Sequence, residues 1–307
     1  MPTRHAVQSG LLIVTLMLGF GGCGQLTCDS ELKASRSANN KAIALQKQGQ
    51  YEAAEKEFRN AMALKPSNHK AAYNLGVLFE SQGKWEQAKE AYNEALKRND
   101  KNPMYFYDAG HAYLEWACPE QKEGGRSCST APDEAIKNLE RAVKLRDSLF
   151  KGWYYLGVAH ELKDEPREAA LAYTKSARAN GRFLEPFIDL TKLYLAWDKW
   201  DEAQRIATAA LSVPENRAQK VNATMLYFLQ GRASEFLNQN EKALEAYNNA
   251  VQTDEGNVNA TFHLGVLYAK LGNKAQAKEW LEKAIKKGGG NANLVATANS
   301  ILYQQIK

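Results

Sequence analysis

"AYNLGVLF" (residues 72–79), followed five residues later by "WEQAKEAYNEA" (85–95), decides the fold. In both phrases apolar and small residues recur at three- and four-residue spacing. Ala72, Leu75, Gly76 and Phe79 share one face of a first helix, and Ala88, Tyr92, Ala95 and Leu96 share one face of a second. Gly83 lies between them and stops the first helix, so the unit predicted is a helical hairpin.

Working outward, the second phrase recurs around Ala54, Ala88, Ala135, Ala169, Ala203, Ala243 and Ala277, at spacings of 34, 47, 34, 34, 40 and 34 residues. The first recurs as "WYYLGVAH" (153–160) and "TFHLGVLY" (261–268). Gly49 and Gly272 end first helices as Gly83 does, and Pro66 follows a second helix that it cannot continue. Small Gly76, Gly110, Gly157, Gly231 and Gly265 let the paired helix approach closely, as the alanines do from the other side. Neither helix of a pair can bury its apolar face alone, so the copies must stack.

This pattern resembles the tetratricopeptide repeat family, whose W-x2-L-G-x2-Y, A-x3-F signature is matched by Trp153, Leu156, Gly157, Ala169 and Tyr173. Seven copies begin near residues 35, 69, 103, 150, 184, 224 and 258; the first, with Ala42 at the glycine position, is the weakest, and the fifth departs at Thr191 and Ala207. The resemblance implies an all-α fold, a right-handed superhelical solenoid of about seven helix-turn-helix units. "NLVATANSILYQQ" (293–305), with Leu294, Val295, Ala298, Ile301 and Leu302 on one face, reads as a C-terminal capping helix. The domains expected are a leader at 1–22, a polar tether at 23–34, the array at 35–290 with an insertion at about 117–131, and the cap at 291–307.

The family's first helices line a concave groove. One position there carries Tyr73, Tyr107, Tyr154, Ile188, Phe228 and Phe262, a stripe that suits peptide docking and equally suits packing between repeats. A chaperone-type carboxylate clamp is not expected, because of Asn39, Ile43, Asn74, Met104 and Asp108 only Asn74 matches one. Near the ends of first helices, Trp116, Trp197, Leu237 and Leu271 stand where other copies hold Gln48, Gln82 and Lys163. They form an expected apolar contact rim. The alternative places Trp116 beneath the inserted loop and Trp197 against Trp200.

The amino terminus begins with Arg4 and His5, then an apolar run from Leu11 to Phe20 that is shorter than the about 20 residues a spanning helix needs. It ends in Phe20-Gly21-Gly22-Cys23 and resembles a bacterial lipoprotein signal, which implies that Cys23 is lipidated and becomes the mature N-terminus. The other reading is an ordinary secretory leader with Cys23 an incidental thiol. Gly24, where an aspartate would imply inner-membrane retention, implies the outer membrane, facing the periplasm. Residues 25–40 are rich in Ser, Asn and charge, as a tether is.

The 47-residue step places thirteen extra residues between the helices of the third copy, and Cys118 and Cys128 bracket most of them. In an exported chain the default for this pair is a disulfide closing a hairpin-like loop, worth about 2.5–3 kcal/mol by loop entropy. The rival is a zinc site with His111, two turns earlier on the same helical face, although the closely spaced cysteine pairs of zinc sites are missing. Cys28 is left over, a partner for Cys23 in an unlipidated chain or a free thiol.

No catalytic motif emerges: there is no H-E-x-x-H, no G-x-S-x-G and no phosphate loop. His111, His160 and His263 fall on different faces, and Asp133–Glu134 and Asp201–Glu202 open second helices where the dipole favours them. Forty basic and 35 acidic residues are interleaved to a net charge of +5, without the dense basic run that nucleic-acid binding uses. No cofactor, metal, nucleic acid or small-molecule substrate is expected. The resemblance to envelope tetratricopeptide lipoproteins implies a non-catalytic, membrane-tethered scaffold with protein or peptide partners, of the kind that serves type IV pilus and secretin assembly. Adaptors for peptidoglycan enzymes or proteases, and an enzyme subunit with an unrecognised site, are the alternatives.

Overall fold

The computed structural model describes residues 21–121 and 125–306, with the side chains of 21–28 and 305–306 outside that description. Most of the expected leader therefore lies outside the described residues. The chain runs through α1 (Gly21–Lys47), α2 (Tyr51–Leu64), α3 (His69–Ser81), α4 (Trp85–Arg98), α5 (Pro103–Ala117), α6 (Asp133–Leu145), α7 (Phe150–Leu162) and α8 (Pro166–Ala179). It continues through α9 (Glu185–Ala196), α10 (Trp200–Leu211), α11 (Pro214–Arg217), α12 (Lys220–Phe236), α13 (Asn240–Thr253), α14 (Val258–Lys270), α15 (Lys274–Lys287) and α16 (Ala292–Ile301). Seven antiparallel pairs result: α1–α2, α3–α4, α5–α6, α7–α8, α9–α10, α12–α13 and α14–α15, each stacked on the next.

The seven period alanines are all buried. The partner of each helix glycine explains the rest of the pair. A Cβ on Gly76, Gly157 or Gly231 would lie 2.5 Å from the ring of Tyr92, Tyr173 or Tyr247 on the second helix. Only a missing side chain lets the ring lie flat on the first helix, and adding one overpacks the contact. In the third and seventh pairs Leu139 and Leu281 press on Gly110 and Gly265 in the same way. The departures compensate: Thr191 takes the glycine position opposite small Ala207, both fully buried, and Ala42 faces Phe58 in the first pair.

Between the helices, Gly49, Gly83 and Gly272 adopt φ of 75°, 68° and 77°, the left-handed conformation that ends a helix. Asp164, Asp198 and Asn238 do the same at the equivalent positions, with φ of 61°, 57° and 56°. Asx side chains tolerate that region best after glycine. The third pair has Ala117 there and does not make the turn; the inserted loop begins instead. The six-residue excess before α12 forms the short α11. Its buried Asn216 donates to the Gly181 and Ala210 carbonyls at 2.9 and 2.8 Å.

One expectation changes, at the amino-terminal end. The tether expected at 23–34 is helical, the leading part of α1. A polar, charged stretch is as compatible with a solvated helix as with a coil, and packing begins where Ser35 donates to the Ala61 carbonyl at 2.6 Å. The cap forms as α16 with Leu294 and Ala298 buried against the last pair, then widens into a π-helical turn, Leu302–Ile306.

Candidate partner-binding groove

First helices touch not only their own partners but one another, α1 with α3, α5 with α7 and α9 with α12. Helices that crowd their own kind across repeats form the inner wall of a curved stack, so the groove is built from first helices. The predicted stripe lies on this wall but is mostly engaged in packing. Tyr73 stacks on Tyr105 with centroids 4.5 Å apart, and Tyr107 lies 6.3 Å from His111. Tyr154 meets Tyr155, Tyr173 and Phe183, and Phe228 and Phe262 both pack against His263. All five are half-buried. Ile188 is a correction: at 7% exposure it belongs to the core beside Leu184 and Leu226 and offers the groove no contact surface. It packs in one cluster with Ala207 and Leu211 of the second helix of its own pair.

What lines the wall in addition is a row of carboxylates held by tyrosine hydroxyls. Tyr73 donates to Asp108 at 2.7 Å, Tyr173 to Glu161 at 2.8 Å, Tyr247 to Glu235 at 2.8 Å, Tyr154 to Asp189 at 3.3 Å, and Tyr92 to Glu80. Burial first, and the neighbouring carboxylates second, push these five phenols well above their ordinary range, so they remain neutral donors. Burial also opposes ionisation of Glu80 and Glu235, but His111 and His263, each 3.4 Å away, and the hydrogen bonds from Tyr92 and Tyr247 outweigh it and hold both carboxyls low. Asp108 goes the other way: burial, with Glu80 nearby, outweighs its Tyr73 hydrogen bond and pushes it up to about 6. Sequence reading found the tyrosines and missed the carboxylates. Their signal was the recurrence of Glu80, Glu161 and Glu235 at one repeat position, twelve residues before the lock tyrosines Tyr92, Tyr173 and Tyr247.

The inserted loop closes over this wall. Cys118 and Cys128 form a disulfide, with sulfurs 2.03 Å apart, and an antiparallel bridge joins Glu120 to Arg126. In this pairing the two sulfurs are bonded to each other and are not zinc ligands. Arg126 turns inward and donates to Glu115 at 2.5 Å and to the Cys118 carbonyl at 2.9 Å. Glu115 lies 3.6 Å from His111, which lies 3.4 Å from Glu80, so the loop is tied into the carboxylate row. Between loop, α7 and α9 lies a cavity of about 600 Å³ lined by Tyr154, Tyr155, Phe183, Glu161, Glu185 and Asp189, with Glu120 and Arg126 on the loop side.

The expected rim is not one surface. Trp116 is 37% exposed, with the Lys89 ammonium 3.8 Å above its ring. Trp197 packs edge-on against Tyr194 at 5.6 Å, not on Trp200, which stacks on Phe236 at 4.2 Å. The tryptophans sit two repeats apart, Trp197 in a cluster with Tyr194 and Ile206 that does not include Trp116. Asn39 and Asn74, far from clamping a carboxylate, bond to each other at 3.0 Å. Cys23 lies in the first turn of α1, where side chains are outside the described residues.

Comparison with known proteins agrees with the geometry. Tetratricopeptide repeat family models match residues 39–103, 76–115 and 131–183, and a second such model matches 237–298. A cytochrome c-type biogenesis protein, CycH of Pseudomonas aeruginosa, is 33% identical over 73 residues, 23% of this chain and 18% of CycH. The chain thus spans less than a fifth of that relative. Among solved structures, the C-terminal part of a repeat protein from Cytophaga hutchinsonii superposes with a TM-score of 0.65 at 15% identity, covering 84% of this chain and 98% of that one. PilF of Pseudomonas aeruginosa superposes with a TM-score of 0.53 at 17% identity, covering 75% and 96%. At such identities the structural likeness speaks for the fold.

Proposed function

We propose, for a chain that belongs to the tetratricopeptide repeat family, the function of a non-catalytic adaptor that holds an extended segment of a protein partner in its inner groove. The observation that carries this reading is the cavity between the stapled loop and α9. Its aromatic side walls and carboxylates suit a peptide bearing a lysine or arginine, and a chain segment is what an open groove admits. Five carboxylates around it, Glu115, Glu120, Glu161, Glu185 and Asp189, face three cations, Arg126, Lys151 and Lys192, so the site is left net negative. Five carboxylates of the wall, Glu80, Asp108, Glu161, Asp189 and Glu235, each accept a hydrogen bond from a tyrosine, which suits a recognition surface better than a nucleophile and base awaiting substrate.

Lipidation at Cys23 and residence at the outer membrane, facing the periplasm, belong to the same proposal and rest on the leader sequence. A role in pilus or secretin assembly is one form of it, supported by sequence resemblance and by a fold shared with PilF. The test is quantitative capture from envelope extracts. Partners retained by the wild type should be lost by a Glu161→Gln, Glu185→Gln, Asp189→Asn chain that melts like the wild type, and the wild type but not Cys23→Ser should sediment with membranes. Equal capture by the folded triple variant removes the groove from the account.

A further inference from the structure

The outer face holds a feature that the groove does not use. Between α8 and the end of α9 with its turn into α10 runs a hollow of about 660 Å³ floored by Leu171, Tyr194 and Trp197 and edged by Arg167, Arg178 and Lys199. It continues past Arg178 and Tyr194 into a second hollow of about 340 Å³ edged by Arg205. No carboxylate lines either hollow. Arg167, Arg178 and Arg205 form no ion pair among the described residues, whereas many other cations of the array do. Leu171, at the centre, is 60% exposed.

Arg167 is the informative residue. It occupies the second position of α8, where the helix dipole favours negative charge. The equivalent positions of the other repeats hold Glu52, Glu86, Asp133, Asp201 and Glu241, or Ala275. A cation at this position runs against both local electrostatics and the repeat's own pattern, and it stands beside three more unneutralised cations over an apolar floor.

We propose that this outer groove is a second docking site, for an amphipathic acidic segment of a protein partner. The segment's apolar side chains lie on Leu171 and Trp197, and its carboxylates pair with Arg167, Arg178, Lys199 and Arg205. Charge complementarity selects the partner's sign, and the exposed leucine and half-buried tryptophan supply the anchor that charge alone lacks. An anionic membrane is the less suitable occupant, because the cations edge a recess between helices instead of projecting from a flat face.

The test is an NMR titration of the purified chain, reading the Trp197 indole N–H. The probes are a synthetic helix-forming peptide of Glu, Leu and Ala, the same peptide with Lys for Glu, and phosphatidylglycerol vesicles. The acidic peptide should shift the Trp197 signal and the basic one should not. Arg167→Glu with Lys199→Glu should weaken binding about tenfold or more, and Asp189→Asn in the inner groove should leave it unchanged. Leu171→Gln, at an exposed position with no fold to lose, should weaken binding too and keeps the test decisive if the charge reversals unfold. An unmoved Trp197 signal, binding indifferent to the outer variants, or a shift produced by vesicles and not by the peptide would overturn the proposal. Because the inner-groove variant is a separate arm, failure here leaves the inner groove standing, and failure there leaves this site standing.

Discussion

Gly157 and Tyr173 show how a single residue type sets the spacing of a whole pair. The ring lies where a Cβ would be, so the glycine was legible in the sequence as a close approach, and the structure adds which atom approaches. Asp164 and Asn238, which turn the chain as glycines do elsewhere, were not legible, because an Asx in the left-handed region looks like any solvated polar residue. Asp108 was read only as a mismatch to a clamp, since burial of a carboxylate is a property of its neighbours. Its elevated pKa has a sign that can be checked. The folded chain holds this proton up to about pH 6, the unfolded chain releases it near 3.8, so Asp108 favours folding at low pH and that contribution is lost as the pH rises through 6. Asp108→Asn, which retains an acceptor for Tyr73, should therefore gain in melting temperature relative to the wild type between pH 4.5 and pH 7. A difference that stays flat or shrinks over that range would show that the carboxyl is not held neutral.

Among the elements, the inserted loop was the most readable and α1 the least. A break in a strict period bracketed by two cysteines has few explanations, and a disulfide-closed loop is one of them. A polar helix and a polar tether have the same composition, and only the buried Ser35, Ala38 and Ala42 along one side distinguish them. The loop holds itself by more than its disulfide: Gln121 donates its backbone N–H to Gly125, Ser129 to Ala117, and Arg126 its guanidinium to Cys118 and Glu115. Cys118→Ser with Cys128→Ser should therefore lower stability by no more than about 3 kcal/mol while leaving the helical circular dichroism intact. Loss of helix content in the double variant would mean that the loop supports the stack, contrary to the pairing of α5 with α6 seen here.

At the scale of the whole molecule, the array presents two surfaces of opposite character, a carboxylate-lined inner wall and a basic, apolar hollow outside. Period and hydrophobic face determine that helices pair and stack, so the solenoid was readable from alanines and glycines alone. Which side chains converge on one cavity depends on residues 35 to 70 positions apart, such as Arg126 and Asp189, and no local pattern records that. Stripe and rim were chosen by residue type, so they took in packing residues such as Ile188 and left out Glu161 and Glu185. The central claim is that a partner lies along the inner wall beneath the stapled loop. Hydrogen-exchange mass spectrometry of the chain with and without the partner captured from the envelope tests it without presupposing a contact. Slowed exchange in α7, α9 and the 118–128 loop, with α4 and α13 unchanged, is the predicted result; protection confined to second helices, with α7 and α9 exchanging as in the free chain, would contradict it.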